Sequence, residues 1–110
     1  INIELNPSLC IYFGFGTGRE DLMRILLPDG AKTLHAASER TPSGWDVTYE
    51  LPFQLLRLFF PDFAPSGTIR GNFYKCGDLQ HTPHFLSWNK IDLPKPCFHC
   101  PEFFGKIMFE

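Results

Sequence analysis

The chain has 110 residues, 44% hydrophobic and 20% charged, which excludes a disordered polymer and supports a single core-bearing unit or part of one. Ten Lys and Arg stand against twelve Asp and Glu with no basic stripe, so nucleic acid is excluded as a partner. No apolar run approaches the roughly 20 residues that cross a bilayer as a helix, and no membrane span is expected.

In chain order, Ile1, Ile3 and Leu5 alternate with polar residues and predict a strand over Ile1–Leu5. Asn6-Pro7-Ser8 reads as a turn, with a returning strand over Leu9–Phe15. Asp21–Leu27 fits helix or strand equally. Strands are expected at Lys32–Ser38 and Trp45–Leu51, joined by the turn Thr41-Pro42-Ser43-Gly44. Pro52 is suited to open a helix, predicted over Phe53–Phe60 with Pro61 and Pro65 ending it. Further strands follow at Thr68–Cys76, Phe85–Trp88 and Gly105–Glu110. Nine glycines, ten prolines and twelve phenylalanines favour short strands over a helical bundle. The pattern predicts an all-β fold: an antiparallel β-sandwich, jelly-roll or immunoglobulin-like, with one short helix.

Two motifs invite chemistry. Gly14-Phe15-Gly16-Thr17-Gly18 lacks the dinucleotide spacing, which needs two residues between its second and third glycines, and reads as a glycine turn. Cys97-Phe98-His99-Cys100 has C-x-x-C spacing, and His81 and His84 stand upstream. These four side chains are zinc-ligand types, although their order matches no standard finger. The same cysteines could pair as disulfides in an exported protein, while a thioredoxin-like role lacks the surrounding βαβ pattern. Cys10 and Cys76 read as buried strand residues. No nucleophile elbow, metalloprotease motif or framed carboxylate pair is present, so no catalytic residue is assigned.

The strongest signal is a succession of blocks: Trp45 to Pro52, then Arg70-Gly71-Asn72-Phe73-Tyr74-Lys75, then Ser87-Trp88. The last runs Phe98-His99-Cys100-Pro101-Glu102-Phe103-Phe104-Gly105 ahead of a final strand. In this order they resemble the family 9 carbohydrate-binding modules, with Thr48 where that pattern has Glu and Lys75 where it often has Arg. The resemblance covers nearly the whole chain but about the C-terminal half of a full module. It implies a non-catalytic saccharide-binding β-sandwich, associated with bacterial carbohydrate catabolism and glycoside hydrolase systems, extracytoplasmic or secreted, often with bound calcium. Ile1 already lies inside an alternating pattern. Either preceding polypeptide is expected to complete the sheet, or the chain is expected to self-associate through its N-terminal hairpin.

A pyranose offers an apolar C–H face to an aromatic ring, and its hydroxyls suit Arg, Asn and other planar partners. The residues expected to bind carbohydrate are Trp88, Asn89, Arg70, Asn72, Tyr74 and His99, with Arg70, Asn72 and Tyr74 on one face of a strand. Trp45 reads as core, and Trp88 equally as platform or core. Arg70 equally suits an ion pair with a strand neighbour, and His99 suits a structural loop hydrogen bond as well as a ligand. Three rivals stand beside saccharide binding: a metal site from His81, His84, Cys97 and Cys100, a haem-carrying sandwich ligated by His and by Met23 or Met108, and a purely structural interaction domain.

Overall fold

The computed structural model describes residues 1–109. Its strands all pair antiparallel, in one three-stranded and three two-stranded ladders. The described chain is therefore all-β in class, consistent with a sandwich of small sheets, and its longest helix has seven residues. It divides into two compact units, Ile1–Ala64 and Pro65–Glu110.

In the first unit, β1 (Asn2–Leu5) and β2 (Ile11–Phe15) form the predicted hairpin, and β3 (Met23–Ile25) settles the ambiguous segment as a strand. The connecting turn is organised by Asn6, whose Oδ1 accepts from the backbone N–H of Ser8 and of Cys10, each at 3.0 Å. No helix follows the glycine turn. Asp21 instead folds back and accepts from Thr17 N–H, the Thr17 hydroxyl and Gly18 N–H. A Cβ at Gly16 would lie 2.6 Å from the Asp21 carbonyl oxygen, so that approach requires glycine.

The expected strand Lys32–Ser38 is corrected. A helical turn, α1 (Gly30–Thr33), occupies its start, and β4 runs Ala37–Thr41. Asp29 caps α1 through its side chain, and the chain leaves it through His35, which has a φ of 44°. These local bonds outweigh the short alternation of Leu34 and Ala36. The β4 strand pairs with β5 (Gly44–Thr48) across the predicted turn. Trp45 is corrected from core to surface: it is 37% exposed, opposite Arg40 on a two-stranded ribbon.

The predicted helix forms as α2 (Phe53–Phe59), capped by Pro52, whose carbonyl accepts from Leu55 and Leu56 N–H. Its inner face carries Leu56 and Phe59. The Phe59 ring lies 5.6 Å from that of Phe13 and 4.9 Å from that of Phe15. Phe13, Leu34 and Leu56 are the buried hydrophobic residues of this unit, each worth about 1.5–3 kcal/mol of burial. Cys10 and Cys76 are both exposed, against expectation. Cys10 precedes β2 rather than lying within it.

In the second unit the expected strand Thr68–Cys76 is broken in two. β6 (Thr68–Gly71) pairs with β9 (Gly105–Met108), whereas β7 (Tyr74–Gly77) pairs with β8 (His84–Ser87). The 3₁₀ turn Pro101–Phe103 leads into β9. Glu110, the last residue of the predicted final strand, lies outside the described residues.

Candidate saccharide site

All six expected binding residues fall in the unit Pro65–Glu110, but the structure gives them different tasks. Arg70, Asn72 and Tyr74 do not share a strand face: Arg70 belongs to the β6–β9 ladder, Tyr74 to β7–β8, and Asn72 sits at the break. The reason lies in the Asn72 side chain. Its Oδ1 accepts from Asn89 N–H at 2.8 Å and Phe73 N–H at 3.0 Å, and its Nδ2 donates to the Asn89 carbonyl at 2.9 Å. A longer bond of 3.5 Å runs to the Phe103 carbonyl. The amide thus stands in for a strand partner and uses its two lone pairs and two protons. The neighbouring Trp88 N–H donates to the Phe73 carbonyl at 2.9 Å.

Trp88 is thereby presented at the surface, 56% exposed. Its ring meets Phe73 at 5.7 Å and 61°, an edge-to-face contact. The far edge of the indole rests on Gly105, where a Cβ would lie 2.8 Å from Cζ3. Only glycine leaves room for this ring position. Phe73 is itself 56% exposed, so the two rings form one aromatic surface.

Arg70 approaches the same segment. Its Nη2 donates to the carbonyls of Phe104, at 3.0 Å, and Glu102, at 3.2 Å. Among the described residues Arg70 forms no ion pair, the alternative reading for it, and its cross-strand partner is Lys106. Nε and Nη1 have no hydrogen bond among the described residues. Asn89 donates from Nδ2 to the Phe103 carbonyl at 2.7 Å, and its Oδ1 accepts no hydrogen bond among the described residues.

Tyr74 is a supporting ring, stacked on Phe98 at 4.4 Å and 11°. Its hydroxyl is buried and has no hydrogen-bond partner among the described residues. Burial raises its pKa above the ordinary phenol value, the nearby Asn72 amide pulls it down, and charge on Cys100 and Cys97 adds to the rise. His99 is half-buried and makes no side-chain hydrogen bond among the described residues.

The four zinc-type side chains do not assemble. The His84 ring bonds the Thr82 carbonyl through Nδ1 at 2.9 Å and meets Lys75 Nζ through Nε2 at 3.1 Å, while Cys100 bonds Cys97. Among the described residues no three His, Cys, Asp or Glu side chains converge on a metal position. Calcium asks for six to eight oxygens, rich in carboxylates, and no three Asp or Glu side chains are grouped for it among the described residues. Met23 and Met108, the sulfur ligands considered for haem, are both exposed and belong to different units. A shallow cavity of about 150 Å³ in the first unit, lined by Leu9, Ile11, Phe13 and Arg24 among others, includes none of the expected binding residues.

Sequence reasoning missed Phe73 and Gly105 as parts of the surface. Read as one continuous strand, alternation put Phe73 on the face away from Asn72. The available signal was Asn72 itself, a residue type that hydrogen-bonds neighbouring backbone and interrupts strands.

The sequence model of carbohydrate-binding family 9 matches residues 1–109. The chain belongs to carbohydrate-binding family 9. The family is one of carbohydrate-binding domains. Among solved structures, the family 9 chain is similar to a candidate carbohydrate-binding protein from Bacteroides uniformis, at 31% identity and a TM-score of 0.71. The match covers 99% of this chain and 54% of the other, so the chain spans about half the length of that protein. No curated protein matches.

Proposed function

We propose that the Trp88–Phe73 surface is the saccharide platform of this family 9 module, with Arg70 and Asn89 as its polar partners. One observation carries the reading: the exposed Trp88 indole rests on Gly105 while the Arg70 guanidinium grips the carbonyl of Phe104, the residue before it. A stacking face and a hydrogen-bonding head therefore flank consecutive residues. The indole accepts the apolar C–H face of a sugar ring. Arg70 Nε and Nη1 donate to sugar oxygens, and Asn89 Oδ1 accepts from a hydroxyl. Asn72 positions Trp88 and Asn89, Tyr74 and Phe98 brace the adjoining loop, and His99 offers a further ring nitrogen there.

No bond is made or broken in this function; the module holds a glycan for other machinery. Family membership supports the further reading that it serves glycan degradation in an extracytoplasmic setting. No calcium-dependent step is assigned to these residues.

The chain has two tryptophans, so Trp45→Phe leaves Trp88 as the sole indole emitter. Titration of that variant with mono- and oligosaccharides, followed by fluorescence and calorimetry, is expected to give saturable changes in Trp88 emission. A sugar that binds calorimetrically without altering that emission would move the site elsewhere.

A further inference from the structure

The two cysteines of the C-x-x-C segment have no role in the saccharide reading, yet their sulfurs are placed together. The Cys100 thiol, 8% exposed, donates to Cys97 Sγ at 2.9 Å, and Cys97 is half-buried. Cys97 accepts that bond and is the more accessible of the two sulfurs. The donor is held protonated: the Cys97 contact, followed by burial and the charges of Cys97 and Glu102, pushes the Cys100 thiol up to about 11. One sulfur is thus accessible and the other withheld beside it, an attacking and resolving arrangement.

We propose that Cys97 and Cys100 form a redox modification site, a dithiol that small-molecule disulfides of the glutathione type convert to an intramolecular Cys97–Cys100 disulfide. Cys97 loses its proton to solvent and its thiolate attacks one sulfur of the disulfide. A mixed disulfide forms on Cys97, and the first glutathione leaves as a thiolate that takes up a proton. The Cys100 thiolate, formed by loss of its own proton, then attacks Cys97 Sγ and expels the second glutathione thiol. Two protein thiols and one glutathione disulfide become one protein disulfide and two glutathione thiols. The two electrons pass from the cysteines to glutathione.

The position gives this change a structural consequence. Cys100 caps the turn Pro101–Phe103, whose Glu102 and Phe103 carbonyls are held by Arg70 and Asn89. Within the same C-x-x-C loop, Phe98 stacks on Tyr74. A disulfide would tie the loop bearing Phe98 and His99 directly to the base of that turn. The inference rests on the two thiols and stands whether or not the saccharide platform is correct.

The test uses the chain with Cys10→Ser and Cys76→Ser, which removes two exposed thiols. It is equilibrated in glutathione redox buffers of graded ratio, alkylated with iodoacetamide and weighed intact. The expected result is loss of both alkylatable thiols in a single step, with no singly alkylated form and no retained glutathione. Adding Cys100→Ser is expected to trap a glutathione adduct on Cys97, whereas adding Cys97→Ser is expected to slow adduct formation at Cys100. Independent alkylation of the two thiols at every ratio would overturn the proposal, and that measurement requires no change at the site itself.

Discussion

The side-chain amide of Asn72 hydrogen-bonds both the N–H and the carbonyl of Asn89, at 2.8 and 2.9 Å. One asparagine thereby fixes the main chain of the residue that follows the exposed indole of Trp88, and marks the place where the strand gives up β9 for β8 as its partner. Asn72→Ala would leave two part-buried backbone groups without partners, a cost of about 1–3 kcal/mol for each group left unsatisfied. Urea unfolding is expected to show a lowered midpoint with an unchanged slope; an unchanged midpoint would show that water replaces the amide at no cost.

Trp88→Ala is expected to weaken saccharide binding by roughly tenfold or more, corresponding to about 1.4 kcal/mol of lost ring contact. Trp45→Ala, on the β4–β5 ribbon, is expected to leave affinity within error. Calorimetry on both variants, with circular dichroism to confirm folding, checks the contrast. Equal losses would remove the distinction between the two indoles.

Gly105→Ala tests the seat of the ring separately from the ring itself. The new methyl group would meet Trp88 Cζ3 at 2.8 Å, so the indole must move away from β9. Affinity should fall while the fold persists, and the near-ultraviolet tryptophan signal should change. A variant that binds as tightly as the parent would show that indole position is unimportant.

The carboxylate of Asp21 lies below the ordinary aspartate value of 3.8 because it accepts from the Thr17 hydroxyl and from Thr17 and Gly18 N–H. A lowered folded-state pKa means that its stabilisation of the loop is complete above the ordinary value and is lost as pH falls through the lower one. Amide exchange at Thr17 and Gly18 should therefore be protected at neutral pH, and that protection should weaken in acid below pH 3.8. Asp21→Asn should show faster exchange already at neutral pH; identical exchange in the variant would assign the protection to other contacts.

Much of this architecture is written locally. Alternation marks β1 and β2, Asn6-Pro7-Ser8 marks their turn, and Pro52 followed by Leu55, Leu56 and Phe59 marks α2. The aromatic, His, Pro and Gly order of the C-terminal third carries the resemblance to family 9, and the sequence model of that family matches residues 1–109. These features survive because each depends on residues within a few positions of one another, through side-chain period, turn chemistry or helix geometry.

What local sequence could not carry is which distant backbone each polar side chain would meet. Arg70 and Glu102 stand 32 positions apart, Asn72 and Asn89 17 apart, and neither contact leaves a periodic trace. Composition and spacing determined an antiparallel all-β chain rich in aromatic rings, and the resemblance to family 9 made Trp88 and Arg70 candidate sugar contacts. Only tertiary structure decided that Asn72 breaks the strand, that Trp45 lies at the surface and that Gly105 seats Trp88. Those outcomes follow from hydrogen bonds and close contacts closed across long loops, where a side chain's partner is chosen by the folded backbone and not by its neighbours in the chain.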